Sequence, residues 1–325
     1  MKKIDKNRQL PLISIITPAF NEGENLNLLY QQFLQIFKEL NFYWEWIIVD
    51  DHSGDDTFLI ASALAEKDSR IRAFRFSRNY GSHMALRCGM EYAQGDCVVG
   101  MAADLQDPPT VIPLLFEKWK EGTHVVWAAR DSRAGEKRST LIFSRWYYRI
   151  MRDIVGLKQM PLDGADFYLL DRKVVDAINS FEEQNVSLFA LIAWMGFRQE
   201  TITYDKQARQ HGKSGWSLEK KLKMAMDSLT SFSYKPIRWM SYLGFMLSLL
   251  SFIYLAVVLV NYLSGVAPQG WTSLMAAILL IGGLQIMMIG MLGEYIWRSL
   301  DESRHRPRYI IEDKAAGSDK PKTSS

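Results

Sequence analysis

The sequence predicts an α/β domain built on a mostly parallel sheet, followed by two membrane-spanning helices. Three observations carry this reading. Short β-branched runs alternate with stretches of helical spacing from Leu12 to Leu170. The links between them are short, which favours right-handed crossovers and parallel pairing. Charge then vanishes: between Trp239 and Trp297 the only charged residue is Glu294, whereas the chain before it is an ordinary polar and apolar mixture.

The elements follow in order. Leu12 to Thr17 is a strand by its β-branched content. Pro18-Ala19-Phe20-Asn21-Glu22-Gly23 ends it. Glu24 to Leu40 then places Leu26, Leu29, Tyr30, Phe33, Ile36, Phe37 and Leu40 at helical spacing. Trp46 to Val49 is the second strand, and Asp50 to Thr57 is a turn with a capping signal into the next helix. Ile71 to Phe76 is the third strand, and Ser82 to Ala93 a helix. Cys97 to Met101 is the fourth strand, too short and apolar for a helix, and it runs into Ala102-Ala103-Asp104-Leu105-Gln106-Asp107-Pro108-Pro109. Pro109 to Glu121 is a helix and Val125 to Ala128 a fifth strand. Asp163 to Leu170 contains a short strand with a carboxylate at its start, and Asp171 caps a helix. For Thr140 to Val155, where Phe143, Trp146, Tyr147 and Tyr148 interleave with Arg145, Arg149 and Arg152, two readings stand: a helix packed on the sheet, or a membrane-surface segment.

Parallel strands put their carboxyl ends on one side, so Asp50, Asp51 and Asp104 are expected on one edge. Open α/β sheets bind ligands there. A carboxylate at that edge can hold a divalent cation, which in turn holds a diphosphate. The plainer alternative for Asp104 to Pro109 is an Asp-Pro turn after a core strand. There is no GxGxxG after the first strand and no GxxxxGK[ST], which disfavours a dinucleotide fold and a P-loop. A net charge of +3 is too small to argue for nucleic acid. Cys88 and Cys97 read as reduced core residues, and the scattered histidines give no zinc cluster. Leu10 to Ile16 is too short to be the core of a signal peptide.

Lys206 to Arg238 is strongly basic. Lys206, Arg209, Lys213, Lys220, Lys221, Lys223, Lys235 and Arg238 stand against Asp205, Glu219 and Asp227, and Leu218, Leu222, Ala225, Met226 and Leu229 form an apolar stripe. A basic amphipathic helix just before an apolar span lies at a membrane surface; the alternative is a core helix with a solvated face. Trp239 to Leu263 and Trp271 to Trp297 are each long enough to cross a bilayer core of about 30 Å. Trp239, Trp271, Tyr295 and Trp297 sit near the ends as interface anchors. The connector is uncharged, while Lys235, Arg238, Arg298, Arg304, Arg306 and Arg308 flank the pair. The positive-inside rule therefore puts the soluble domain and both termini in the cytoplasm, at the inner (plasma) membrane. The expected divisions are 1–205, a cytoplasmic domain; 206–238, a juxtamembrane segment; 239–300, two transmembrane helices (239–263 and 271–297); and 301–325, a cytoplasmic tail, disordered from Ala315.

A carboxylate edge near a basic strip and a membrane hairpin suits the transfer of a group from a soluble anionic donor to a lipid bearing phosphate. A metal on Asp104 would neutralise the donor diphosphate as it leaves. The basic strip would gather the lipid phosphate. A phosphate monoester, with a second pKa of about 6, is already an oxyanion at neutral pH, so a strong general base is optional.

The chain resembles the family 2 inverting glycosyltransferases of the polyisoprenyl-phosphate type, the group of dolichol-phosphate mannose synthase and the bactoprenol (undecaprenyl-phosphate) glucosyltransferases with two membrane helices. The resemblance rests on Pro18-Ala19-Phe20-Asn21-Glu22, Val49-Asp50-Asp51-His52-Ser53-Gly54-Asp55, Phe76-Ser77-Arg78-Asn79-Tyr80-Gly81, Ala103-Asp104-Leu105-Gln106-Asp107-Pro108, Asp166-Phe167-Tyr168-Leu169-Leu170-Asp171-Arg172 and His211-Gly212-Lys213-Ser214-Gly215-Trp216. Leu292-Gly293-Glu294-Tyr295-Ile296 and Arg306-Pro307-Arg308-Tyr309-Ile310-Ile311 extend it almost to the end of the sequence.

It implies a GT-A fold for 1–205, a UDP-sugar donor, undecaprenyl or another polyprenyl phosphate as acceptor, surrounding membrane lipids, and Mg²⁺ or Mn²⁺. By resemblance Pro18, Glu22, Asp50 and Asp51 line the nucleotide pocket, and Asp104 and Gln106 serve the metal and the diphosphate. Asp166 faces the sugar or acts as base. Arg209 and Ser214 hold phosphate, with Lys213 a weaker contact, and Ser77, Arg78 and Asn79 close one wall. Asp104, Asp166 and Arg209 form the expected catalytic set. Three positions depart from the pattern: Ala102 stands where the first acid of Asp-x-Asp is usual, Tyr168 where Arg is usual, and Gly215 where many relatives have Lys. The implied product is an inverted, lipid-linked hexose, glucose before others, destined for a surface polysaccharide. Two alternatives stand beside it. A processive polysaccharide synthase would have QxxRW, half echoed by Lys235-Pro236-Ile237-Arg238-Trp239, and more membrane helices. A non-catalytic nucleotide-sugar scaffold would explain Ala102. Apolar hairpin faces could also pair copies into a homo-oligomer.

Overall fold

The computed structural model describes residues 10–38, 40, 42–130, 152, 167–181, 183, 186–204, 235–264 and 270–315. Asp166, Arg209, Lys213, Ser214, the amphipathic stripe from Leu218 to Leu229 and nearly all of Thr140 to Val155 lie outside these. Residues 1–225 with 307–325 form one compact unit and residues 226–306 a second.

The first unit is a mixed, mostly parallel sheet flanked by helices. Strands β1 (Leu12–Ala19), β2 (Tyr43–Asp50), β3 (Ile71–Phe76) and β4 (Cys97–Gly100) alternate with helices α1 (Gly23–Phe37), α2 (Thr57–Lys67) and α3 (Ser82–Tyr92). Helix α4 (Ile112–Lys120) leads to β5 (Val125–Arg130). Then come β6 (Phe167–Asp171), α5 (Arg172–Ser180), α6 (Leu188–Trp194), β7 (Gln199–Tyr204) and, late in the chain, β8 (Ile311–Ala315). The strand order is β7-β5-β6-β4-β1-β2-β3-β8. Strand β1 pairs in parallel with both β2 and β4. Strand β6 runs antiparallel between β4 and β5, and β8 antiparallel along β3.

Side chains that alternate along each strand feed two cores. On one face Ile13, Ile15, Trp46 and Ile48 meet Leu26, Phe33 and Leu115. On the other Ile16, Ile47, Val49 and Phe74 meet Leu86, Trp127, Tyr168 and Val175. Burial on both faces is why these strands read as continuous apolar runs. Each large side chain so buried contributes about 1.5–3 kcal/mol.

Strand β2 begins at Tyr43, earlier than the Trp46 expected from sequence, and Glu45 within it is a buried partner. Its carboxylate accepts from Arg72 Nη2 at 2.6 Å, Ser14 Oγ at 2.5 Å and the Gln94 amide at 2.6 Å. Helix α2 follows Asp56, whose side chain makes no capping hydrogen bond; Asp55 Oδ1, one residue earlier, accepts the Thr57 amide at 3.1 Å. Asp171 caps α5 as expected, accepting from the Lys173 amide. Cys88 and Cys97 are free and buried.

Close packing explains Gly100 and Tyr168 together. A Cβ at Gly100 would lie 2.4 Å from Tyr168 Cζ. The Tyr168 ring is fully buried there, edge-on to Trp127 and Phe189. The position where the resemblance led us to expect Arg is therefore part of the core in this chain.

Strands β7 and β8 and helix α6 were not expected from sequence. Strand β8 lies in the segment read as a tail. Its sequence, Ile-Glu-Asp-Lys-Ala, is mostly exposed. Main-chain pairing to β3 and the stacking of Tyr309 on Phe76, with ring centres 5.0 Å apart, hold it.

The second unit contains α7 (Lys235–Leu263) and α8 (Trp271–Ser303). Both include a stretch long and apolar enough to cross a membrane, Arg238–Val258 and Leu280–Ser303. Phe245, Phe252, Ile286, Ile289 and Ile296 are each more than half exposed. Rows of apolar side chains of this extent mark a surface that is covered by lipid or protein. Within the unit, Gly244 lets α7 approach Met288 of α8: an added Cβ would lie 3.3 Å from the Met288 methyl group.

Candidate active site at the carboxyl edge

The chain leaves β1 for β2 and β3 on one side and returns to the other side for β4. That reversal opens a crevice between the carboxyl ends of β1 and β4, where ligands of such sheets bind. The loops after β1, β2, β3 and β4 converge there. Strand β6, antiparallel, begins at this edge with Phe167, and β7 ends at it with Tyr204.

The backbone is strained at the same edge. Asn21, His52 and Leu105 have φ of +57°, +61° and +58°, and His305 is the only other non-glycine residue with positive φ among the described residues. Such residues cost on the order of 1 kcal/mol and cluster at functional sites. Each follows a different strand: β1, β2 and β4.

Hydrogen bonds knit the loops together. Asn21 donates its amide to Ser53 Oγ and accepts the Gly54 amide, both at 2.9 Å. The Glu22 amide donates to Thr57 Oγ1 at 2.9 Å. Ser53 donates both its amide, at 3.0 Å, and its hydroxyl to Asp50 Oδ1. Asp51 spans to the third loop, its two oxygens accepting the Tyr80 amide at 2.6 Å and the Gly81 amide at 2.8 Å. Gly81 has φ of +91°, which suits glycine at the start of α3.

Burial dominates the electrostatics. It pushes Asp51 up from 3.8 to about 6, against the pull of the Tyr80 and Gly81 amides. It also raises Asp50, opposed by the Ser53 hydrogen bonds and the Arg75 charge. Two adjacent acids with raised values at the carboxyl edge make it a candidate functional site.

The expected residues fall as follows. Pro18, paired with Val49, is partly exposed at the end of β1. Glu22 is partly exposed, and its Oε2 accepts from Asn25 Nδ2 at 2.5 Å. Asp50 is fully buried and Asp51 is 4% exposed. Asp104, at 6%, retains a small opening, and its Oδ1 accepts the Gln106 amide at 3.2 Å. Gln106 and Ala102 are partly exposed beside it. Ser77, Arg78 and Asn79 follow β3, with the Arg78 guanidinium 4.1 Å from the centre of the Tyr80 ring. The structure thus gathers Pro18, Glu22, Asp50, Asp51, Asp104 and Gln106 at one edge.

Sequence reasoning missed several members of this edge. Asp107 accepts the Tyr204 hydroxyl, tying the β4 loop to the end of β7. Arg75 and Glu312 also sit here, on adjacent antiparallel strands. A second arginine in β3, next to its carboxyl end, was a signal for the first; nothing local in the sequence signals Glu312.

The residues of this edge meet the needs of a divalent cation only in part. Among the described residues there is no group of three acidic, histidine or cysteine side chains around one point. With Ala102 in place, the residues that would hold a cation are Asp104, through its carboxylate, and Gln106, through its amide oxygen. Mg²⁺ needs little more, since it commonly binds through one or two carboxylates, water and substrate phosphates.

The family "Glycosyl transferase family 2" matches residues 14–178, which run from β1 through β6 and include the loops after β1 to β4. The chain belongs to glycosyltransferase family 2. A second match, "GtrB C-terminal hairpin", covers residues 235–298, the two apolar helices. An uncharacterized glycosyltransferase of Synechocystis is 37% identical over 302 residues, 93% of this chain and 95% of that protein. The bactoprenol glucosyl transferase of Shigella phage SfV is 36% identical over 303 residues, 93% of this chain and 98% of that protein. Among solved structures, mannosyl-3-phosphoglycerate synthase from Rubrobacter xylanophilus has a TM-score of 0.48 at 15% identity, over 71% of this chain and 75% of that one.

Proposed function

We propose that this family 2 glycosyltransferase moves glucose from UDP-glucose to undecaprenyl or a related polyprenyl phosphate, with inversion. One observation supports this above the rest. The similarity to bactoprenol glucosyl transferases runs nearly end to end in both partners, and so includes the membrane hairpin as well as the sheet. An enzyme acting on a soluble acceptor has no need of the hairpin.

The division of labour follows from the edge. Pro18, Glu22 and the knitted loops carrying Asp50 and Asp51 form the nucleotide wall. Asp104 and Gln106 would hold Mg²⁺ or Mn²⁺, which when bound neutralises the diphosphate. Strand β7 brings the chain to the carboxyl edge at Tyr204, and Arg209, Lys213 and Ser214 follow in sequence; they are assigned to the acceptor phosphate. Asp166 immediately precedes β6, which starts at this edge, and is assigned to the sugar. A phosphate oxygen attacks the anomeric carbon from the face opposite the nucleotide. A phosphate–carbon ester bond forms, and the sugar–diphosphate bond breaks with its electron pair leaving on UDP. The acceptor is already ionised, so placement and charge supply most of the catalysis.

The hairpin anchors the enzyme in the inner membrane, with its flanking arginines and the catalytic unit on the cytoplasmic side. The divisions 1–205, 206–238, 239–300 and 301–325 serve catalysis, acceptor delivery, anchoring and the tail. The apolar faces of α7 and α8 meet lipid or a second copy. The test incubates purified protein with a panel of UDP-sugars, polyprenyl phosphate and Mg²⁺ or Mn²⁺, and identifies the lipid product by mass. A glucosylated polyprenyl phosphate is expected. UDP binding with no lipid-linked product from any sugar would overturn the reading in favour of a scaffold.

A further inference from the structure

Strand β8 reaches the carboxyl edge from an unexpected direction. It is the chain that follows the second apolar helix, and it lies along β3 with Arg75 in register with Asp313. Glu312 Oε2 lies 3.5 Å from Arg75 Nε and 3.7 Å from His52 Nδ1. Arg75 Nε lies 3.7 Å from Asp50 Oδ2 on its other side. Both Arg75 Nε and Asp50 Oδ2 are buried, and neither has a hydrogen-bond partner. The guanidinium is thus shared between two carboxylates and bonded fully to neither. Its Nη2 donates to Ser53 O at 3.3 Å, and His52 Nδ1 also meets Phe76 O at 3.0 Å.

We propose that Glu312 is a positioning residue for the nucleotide-sugar site: it holds Arg75 away from full contact with Asp50 and so fixes the β2 loop. This rests on the donor reading given above. The physical reason is a competition. A buried carboxylate oxygen without a partner is a strong attractor for a cation. Without Glu312, Arg75 closes onto Asp50 and draws on Ser53, its other contact. Ser53 and Gly54 are the residues that hold Asn21, so the strained turn beginning the nucleotide wall shifts with them. The segment leaving the membrane hairpin is in this way wired into donor affinity.

The test uses the full-length protein in detergent or nanodiscs. UDP is titrated calorimetrically, and steady-state rates are measured against UDP-glucose and polyprenyl phosphate. Glu312→Gln is expected to raise the Kd for UDP and the KM for UDP-glucose about threefold to fivefold, the size expected for one arm of a half-exposed ion pair. The kcat, the KM for lipid and the Tm should hold, and Glu312→Asp should restore most of the affinity. Unchanged Kd and KM in Glu312→Gln would overturn the inference. So would a joint loss of kcat and Tm at constant KM, which is the signature of a merely structural strand. Wild-type protein that binds no UDP would overturn the donor reading, and this inference with it; binding by wild type that Glu312→Gln matches would overturn the inference alone.

Discussion

Asp51 provides a test in which stability and function should move in opposite directions. Its carboxylate is 4% exposed and pushed up to about 6 by burial, although two backbone amides point at it. In the unfolded chain the same group ionises near its ordinary value of 3.8. The sign follows directly. The folded state binds the proton more tightly than the unfolded state, so Asp51 favours folding below about pH 4 and loses that contribution as pH rises through about 6. At about 1.4 kcal/mol per pH unit, the charged form costs about 3 kcal/mol at neutral pH.

Asp51→Asn removes that cost but presents an amide to two donors, so one of the Tyr80 and Gly81 amides loses its acceptor, for about 1–3 kcal/mol. The variant should therefore match or exceed wild type in apparent Tm at pH 7.5. At pH 5 the wild type should gain on it, as its carboxyl protonates. Activity should fall, because the Ser77–Gly81 loop loses one of the two bonds by which Asp51 holds it. The assay is thermal unfolding followed by tryptophan fluorescence at one scan rate, at both pH values, beside turnover. A variant several degrees less stable at pH 7.5, with the same gap at pH 5, would refute the claim that burial dominates this carboxylate.

Other outcomes follow from the same structure. Glu45→Ala leaves Arg72 buried beside empty space and should cost about 3–5 kcal/mol, read as a large fall in Tm. Gly100→Ala drives a methyl group into the Tyr168 ring, 2.4 Å from Cζ; it should cost about 1–3 kcal/mol and lower expression and Tm. Chelation by EDTA should abolish turnover, and Mn²⁺ or Mg²⁺ should restore it; undiminished activity in EDTA would remove Asp104 and Gln106 from a metal role.

The parallel half of the sheet was legible because strands buried on both faces leave unbroken apolar runs, as Ile13 to Ile16 and Trp46 to Val49 do. Shared direction then placed Asp50, Asp51 and Asp104 on one edge without further information. Strand β8 was illegible because its strength is in the main chain: Glu312, Asp313 and Lys314 are exposed, and only pairing with β3 makes them a strand. Strand β7 was missed for a similar reason, since Gln199-Glu200-Thr201 looks like a surface turn until β5 is beside it. Asp51 was read as a ligand-facing acid. In the structure both of its oxygens also accept amides of the next loop, from Tyr80 and Gly81. Tyr168 carried no signal that an aromatic ring would fill the space left by Gly100.

The measurement that bears most directly on the account is the rate at which Asp104→Ala transfers glucose from UDP-glucose to polyprenyl phosphate in the presence of Mg²⁺ or Mn²⁺. Loss of the carboxylate that would hold the cation neutralising the departing diphosphate should slow transfer by about a hundredfold or more, with the Tm unchanged. Wild-type rates in that variant would contradict a catalytic centre between the ends of β1 and β4.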